Sequence, residues 1–371
     1  MIFFDNNATT PLLPEVIDAM LLDLDGIPKN PSSITKYGRM AKQMLITARK
    51  TIADYFQVFP EEVIFTSGGT ESNHFLINGF YQARPGHIIT TAIEHHSVLF
   101  PLNRLNADVT YLKVGSFGAP TLNQIEKAIK PQTKMIVLSG ANNETGALNA
   151  YEEIAELADH HNISLLLDGV CLLGKHKLSP LNKKISGTSF SGHKCHGPKG
   201  VGIAIVNKKY KIPPLLQGGH QERNLRAGTE NLAGILGFAK AIELIPENPT
   251  EKLSQLRDYF EKEVKKLFPT IEINGQGPRI PNTSNIFFDN IDAQSLLIHL
   301  DQNNIIASLG SACSAGTLEP SHVLLEMGLS NRRAQSSLRF SFSRLNTISE
   351  IDQAILTLKN FSSSRRELIF S

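Results

Sequence analysis

From about residue 34 to residue 245 the chain alternates short apolar runs with helix-like segments. "EEVIFTSGG" ends a β-branched run in glycines, and the following "TESNHFLINGFYQA" predicts a helix with Thr70 near its N-cap. "GHIITTAIEHH", "KMIVLSGANNE" and "ISLLLDGV" predict buried strands with polar residues at their C-terminal ends. "NAYEEIAELADHHN", between the last two, predicts a crossover helix, and "VGIAIV" a further buried strand. Near-continuous apolar strands joined by helices imply an α/β fold, a mostly parallel sheet covered by helices on both faces. Ligands of such sheets bind beyond the carboxyl ends of the strands, which is where the unusual polar residues fall.

The pattern changes near "ELIPENPTEKLSQL". A long helical stretch to about Phe268 precedes strands and one amphipathic helix. This predicts a large domain over 13–250 and a smaller α+β C-terminal domain over 251–371, joined by residues 1–12. No internal repeat or low-complexity tract interrupts this plan.

With 371 residues, 41% of them hydrophobic, the chain has material for a large core and more than one domain. A net charge of +2 gives no field that would select nucleic acid, and the arginines of "SSSRRELIFS" read as a solvated end. Cys171, Cys195 and Cys313, odd in number and widely spaced, do not form a disulfide framework and fit a reducing compartment. No apolar run of about 18 residues suggests a membrane span, and "MIFFDNNATTPLLPEV" lacks a basic leader; a cytoplasmic protein is expected.

Several stretches carry candidate chemistry. "TSGGTESN" puts Gly69 and Thr70 at a helix N-terminus, where free N–H groups and the helix dipole favour an anion; by themselves the same residues read more readily as a plain helix cap. Asp168 closes an apolar run, where a carboxylate needs a cationic partner or a surface turn. Lys194 lies in the Gly/His-rich loop "SFSGHKCHGPKGVG", and a lysine in a partly buried site can form a Schiff base. Anion cup, strand-end carboxylate and lysine together are what pyridoxal phosphate needs. His193, Cys195 and His196 are spaced too tightly for structural zinc patterns and lack a matching second pair, so no metal is expected. Cys313, in the loop "ASLGSACSAGTLEP", has the setting of an exposed nucleophile rather than of a core thiol. Arg339 in "SSLRFSFSR" can bind a carboxylate bidentately or form a surface salt bridge.

Taken in order, "FFDNNATTPLLPEV", "NPSSITKYGR", "FTSGGTESN", "AIEHHSV", "NNETG", "SFSGHKCHGPKGVG", "GGHQERNLRAGTEN" and "GSACSAGTLEPSHVL" resemble the NifS/IscS-type cysteine desulfurases, nearly end to end. These are class V, fold-type I aminotransferase-like enzymes dependent on pyridoxal 5'-phosphate. The resemblance implies roles. Lys194 would be the Schiff-base lysine, and Asp168 would pair with the cofactor's pyridine nitrogen. His95 would stack on the ring and assist proton transfer. Gly69, Thr70, Ser191 and His193 would hold the phosphate, with Thr229 reaching the phosphate of the other subunit of a homodimer. Asn143 and Arg339 would bind the carboxylate of L-cysteine, and Cys313 would carry its sulfur as a persulfide to an acceptor such as an iron–sulfur scaffold, or towards tRNA thiolation.

One departure stands out. Where the family commonly reads Ala-x-Gln after the aspartate, with the glutamine bonded to the cofactor's ring oxygen, this chain has Gly169 and Cys171. A thiol is a poor substitute donor, so that role is not carried to Cys171. Three readings remain open: a cysteine desulfurase; a selenocysteine lyase or transaminase-like enzyme on the same cofactor; and a degenerate, non-catalytic homologue.

Overall fold

A computed structural model describes residues 1–310 and 319–370, with side chains described to residue 362. In chain order its strands are β1 (Ile2–Phe3), β2 (Val63–Thr66), β3 (His87–Thr91), β4 (Val109–Leu112), β5 (Thr133–Ser139), β6 (Ser164–Asp168), β7 (Gly187–Ser191), β8 (Gly202–Val206), β9 (Glu272–Ile273), β10 (Thr283–Phe287), β11 (Ile305–Ile306) and β12 (Ser337–Ser341). Among the described residues seven strands form the central sheet, in the order β2-β8-β7-β6-β5-β3-β4. The pairs β7–β6, β6–β5, β5–β3 and β3–β4 are parallel, as the hydropathy pattern predicts. β8 departs from that pattern, running antiparallel to both β7 and β2. The cause is connection length. Only the glycine-rich loop 192–201 joins β7 to β8, too short for the crossover a parallel neighbour requires.

Successive strand residues divide between two cores, which is the period-two rule applied to a sheet buried on both faces. Phe65, Ile89, Ile136, Leu165, Leu167, Ile203 and Ile205 enter one, with the helices Lys36–Phe56, Tyr151–His160 and Leu232–Glu243. Ile64, Ile88, Met135, Val137, Leu166 and Ala204 enter the other, with the helices Gly69–Ala83 and His96–Arg104. Helix starts follow local chemistry. The Thr35 side chain accepts a hydrogen bond from Gly38 N, and the Asp292 side chain one from Ser295 N, so that two otherwise orphaned N–H donors are satisfied.

A further core gathers the C-terminal third around Phe260, Phe288, Phe340 and Phe342, and Ile2 and Phe4 pack into it. Phe4 meets the Phe342 ring edge-on at 4.9 Å. β12, β10 and β9 form an antiparallel sheet here, while β1 pairs in parallel with β11. The helix Ile348–Phe370 continues through the polar tail. Among the described residues no helix is long and apolar enough to cross a membrane.

Because most strands of the central sheet share one direction, their carboxyl ends gather on one edge. Ser139, Asp168 and Ser191 end β5, β6 and β7 there, and the chain leaving β2 enters Ser67–Gly69.

Candidate functional site

A cavity of about 350 Å³ opens at that edge. Its lining includes Gly69, Thr70, His95, Asn143, Asp168, Ser191, His193, Lys194 and Arg339, so sequence positions 270 apart (339 − 69) meet in one site. Two of the residues that the sequence singles out are not among them. Cys313 lies outside the described residues. Thr229 lines a separate, smaller cavity beside Ser67, Glu222 and Arg226.

Each side chain has an identifiable support. Lys194 ends the tight turn Gly192–Lys194 that follows β7. Its Nζ donates to Asn7 O at 2.5 Å and to Ala8 O at 2.9 Å. Asp168, 8% exposed at the end of β6, accepts at Oδ2 from Asn73 Nδ2 at 2.8 Å and at Oδ1 from Val170 N at 3.0 Å. The Asn73 amide is fixed in turn. Ser189 Oγ donates to its Oδ1, and its Nδ2 also reaches Ser97 Oγ at 2.9 Å. Asn73 stands three residues after Thr70, on the same face of the Gly69–Ala83 helix, so helical spacing could have pointed to it.

The Ser97 hydroxyl carries this network to His95. Ser97 N donates to His95 Nδ1 at 3.0 Å, and Ser97 Oγ lies 2.7 Å from the same nitrogen. Nδ1 is therefore an acceptor, and the neutral ring carries its proton on Nε2. Burial holds the His95 pKa below the ordinary value, Lys194 adding to the shift and Asp168 opposing it. Preceding it, Glu94 is fully enclosed, accepting from Thr91 Oγ1 and Ser139 N at 2.7 Å each; burial raises its pKa to about 7.

Gly69 begins a cup for an anion. A Cβ there would stand 2.7 Å from Val170 Cγ2, so the backbone approaches the cavity as only glycine allows. Ser191 and His193 complete the cup, and burial, reinforced by the Lys194 charge, lowers the His193 pKa to about 4.

His193, Cys195 and His196 do not converge. His193 Nδ1 lies 3.2 Å from Thr9 Oγ1, His196 Nδ1 lies 2.9 Å from Pro11 O, and Cys195 Sγ contacts Gly192 O within a hydrophobic core. His196 is buried with its pKa lowered to about 4, chiefly by desolvation. Two histidines neutral in the folded chain protonate near 6.5 once unfolded. Their contribution to stability is thus present above about pH 6.5 and lost as pH falls towards about 4. In His196→Asn, which tolerates the left-handed backbone at φ 70°, the fall of Tm across that window should be shallower than in the native chain.

The departure after Asp168 has a packing explanation at its first position. A Cβ on Gly169 would lie 2.4 Å from Phe190 Cε1, and the Phe190 ring is stacked at 4.7 Å on Phe56. Phe190 fills the space that an alanine methyl would take. Gly169→Ala is expected to cost about 1–3 kcal/mol in denaturant unfolding, and a second change, Phe190→Leu, to return part of it. Cys171 lines the cavity and is 7% exposed.

Arg339 was legible in the sequence; its partner Asp5 was not. Arg339 Nη2 donates to Asp5 Oδ1 at 2.6 Å, and Nη1 to Asn143 O at 3.1 Å and Gly310 O at 3.3 Å. Its Nε is buried and has no hydrogen-bond partner among the described residues.

Comparison with known proteins matches residues 2–354 to the Aminotransferase class-V family. A cysteine desulfurase IscS of Dictyoglomus turgidum is 39% identical over 377 residues, covering 99% of this chain and 96% of its own length. Among solved structures, a NifS-like protein superposes with a TM-score of 0.89 at 33% identity, covering 98% of this chain and 99% of its own. A structure of SspA in complex with cysteine gives a TM-score of 0.81 at 32% identity, covering 94% and 100%.

Proposed function

Because the chain belongs to the Aminotransferase class-V family, we propose that its cavity is the active site of a pyridoxal 5'-phosphate-dependent cysteine desulfurase, converting L-cysteine to L-alanine and passing on the sulfur. The observation that carries this reading is the meeting of Lys194, Asp168 and Arg339 in one cavity. Lysine supplies an amine for an aldehyde, Asp168 an anion for a pyridinium nitrogen, and Arg339 a cation for an α-carboxylate.

The residues fit the cofactor. The glycine-only approach at Gly69, with Thr70, Ser191 and His193, suits a phosphate, and Asn73 holds the Asp168 carboxylate in a fixed orientation. When bound, the cofactor supplies an electron sink for charge developing at the substrate's α-carbon. The chain's own groups do the rest. Asp168 would stabilise the positive ring nitrogen. His95, neutral and with its Nδ1 accepting from Ser97 N, would stack on the ring and assist proton transfer. Arg339 and Asn143 orient the substrate, and the orphaned Arg339 Nε–H is the sort of buried donor that an incoming carboxylate oxygen satisfies.

Cys313 is assigned the thiolate that takes the substrate's sulfur, leaving a persulfide for a sulfur-acceptor protein such as an iron–sulfur scaffold or a tRNA-thiolation partner. Thr229 is assigned to the phosphate of the second copy in a homodimer, in keeping with its distance from this chain's own cavity. A smaller domain built on the core around Phe260, with residues 1–12, would carry the Cys313 segment. A cytoplasmic setting suits the chemistry of a free persulfide. The test is L-cysteine turnover with added cofactor and a reductant. Equal alanine and sulfide are expected; a yellow protein that makes neither would overturn the substrate assignment.

A further inference from the structure

The stretch Asp5–Thr10 runs beside the cavity, with Asn7 and Ala8 in its lining, and touches several of its ionisable groups. Asn7 O and Ala8 O hold Lys194 Nζ, Thr9 meets His193, and Asp5 holds Arg339. The Asp5 contact differs in kind from the others, because it pairs the substrate-binding cation with an anion of the protein itself. Arg339 is 1% exposed, its Nη2 bonds a single oxygen of Asp5, and its Nε–H stays unpaired among the described residues. A guanidinium can serve two carboxylates from different donors. Here one is built in, and one donor is held open.

We propose that Asp5 is a positioning residue that sets the affinity of the site for the α-carboxylate of substrate and product. It does so in two opposed ways. By accepting from Nη2 it fixes the guanidinium plane, with the carbonyls of Asn143 and Gly310 on Nη1, so that Nε–H is left for the ligand. By its negative charge it weakens the pull of Arg339 on any second carboxylate, so L-alanine is not trapped after turnover. This inference rests on the assignment of Arg339 to the substrate carboxylate.

The two effects separate by substitution. Asp5→Asn keeps an oxygen that accepts from Nη2 and removes the charge. Asp5→Ala removes both. Loss of one charge a few ångströms from a bound carboxylate, at the effective dielectric of such sites, corresponds to about tenfold or more in affinity. Calorimetric titration of the cofactor-loaded protein with L-alanine reads this without turnover. Asp5→Asn should bind L-alanine at least about tenfold more tightly than the native chain, with KM for L-cysteine lowered alongside. Asp5→Ala, if it folds, should bind more weakly than Asp5→Asn. An Asp5→Asn protein that binds L-alanine no more tightly than the native chain would overturn the proposal. Arg339→Gln tests the carboxylate assignment itself. If it leaves L-alanine binding unchanged, the carboxylate assignment of Arg339 fails, and the role of Asp5 fails with it.

Discussion

Lys194→Ala is expected to abolish turnover of L-cysteine, by three orders of magnitude or more on the rate scale of a lost covalent catalyst. β7 delivers the chain to the sheet edge, and the turn Gly192–Lys194 sends the amine back over the cavity to the carbonyls of Asn7 and Ala8. Both carbonyls accept from a donor that can move, which lets the amine leave them for a carbonyl carbon and return. Alanine removes the nucleophile and strips both carbonyls of this donor. Lys194→Arg separates these losses: it keeps a cation near Asn7 and Ala8 but cannot form the imine, so turnover should be lost there as well. Spectra should show cofactor that binds but is removed by dialysis, whereas the native chain retains it. Native-like turnover in either variant would refute the role of Lys194.

The second large effect is expected at Asp168. Asp168→Asn preserves shape and keeps an oxygen for Asn73 to donate to, but it removes the charge that matches a pyridinium nitrogen. Loss of one member of a buried, hydrogen-bonded charge pair costs about 3–5 kcal/mol, so kcat should fall by about two to four orders of magnitude. The same change faces Asn73 with an amide where a carboxylate stood. Because Asn73 Nδ2 also reaches Ser97, and Ser97 holds His95 Nδ1, part of the loss should pass to His95. Asn73→Ala isolates that part: it should lower kcat less than Asp168→Asn while leaving the Asp168 charge in place. If Asp168→Asn turned over L-cysteine at the native rate, the carboxylate would not be the ring's counter-charge.

The parallel sheet was legible because buried parallel strands are written as unbroken apolar runs, of which "SLLL" before Asp168 is one. The reversed direction of β8 was not read, since an apolar run such as "VGIAIV" carries no sign of direction; the short loop before it sets that. Asp168 and Lys194 were legible from type and position, a carboxylate closing a strand and a lysine in a glycine-rich loop. Asp5 and Asn73 were missed for different reasons. Asn73 is local, one helical turn from Thr70, and periodicity held the signal. Asp5 acts on a residue 334 positions away, and nothing in the sequence around Asp5 announces that pairing. The Gly169 departure also became intelligible only in three dimensions, where the Phe190 ring occupies the space that a side chain would need.

The central claim is that this cavity strips sulfur from L-cysteine and that Cys313 receives it. The most direct measurement is alanine and sulfide from L-cysteine, in the presence of cofactor and reductant, for the native chain and for Cys313→Ala, with intact mass recorded before reductant is added. The account predicts equal alanine and sulfide from the native chain, an added sulfur atom on Cys313 after exposure to L-cysteine, and neither product from Cys313→Ala. Undiminished alanine and sulfide from Cys313→Ala would contradict it.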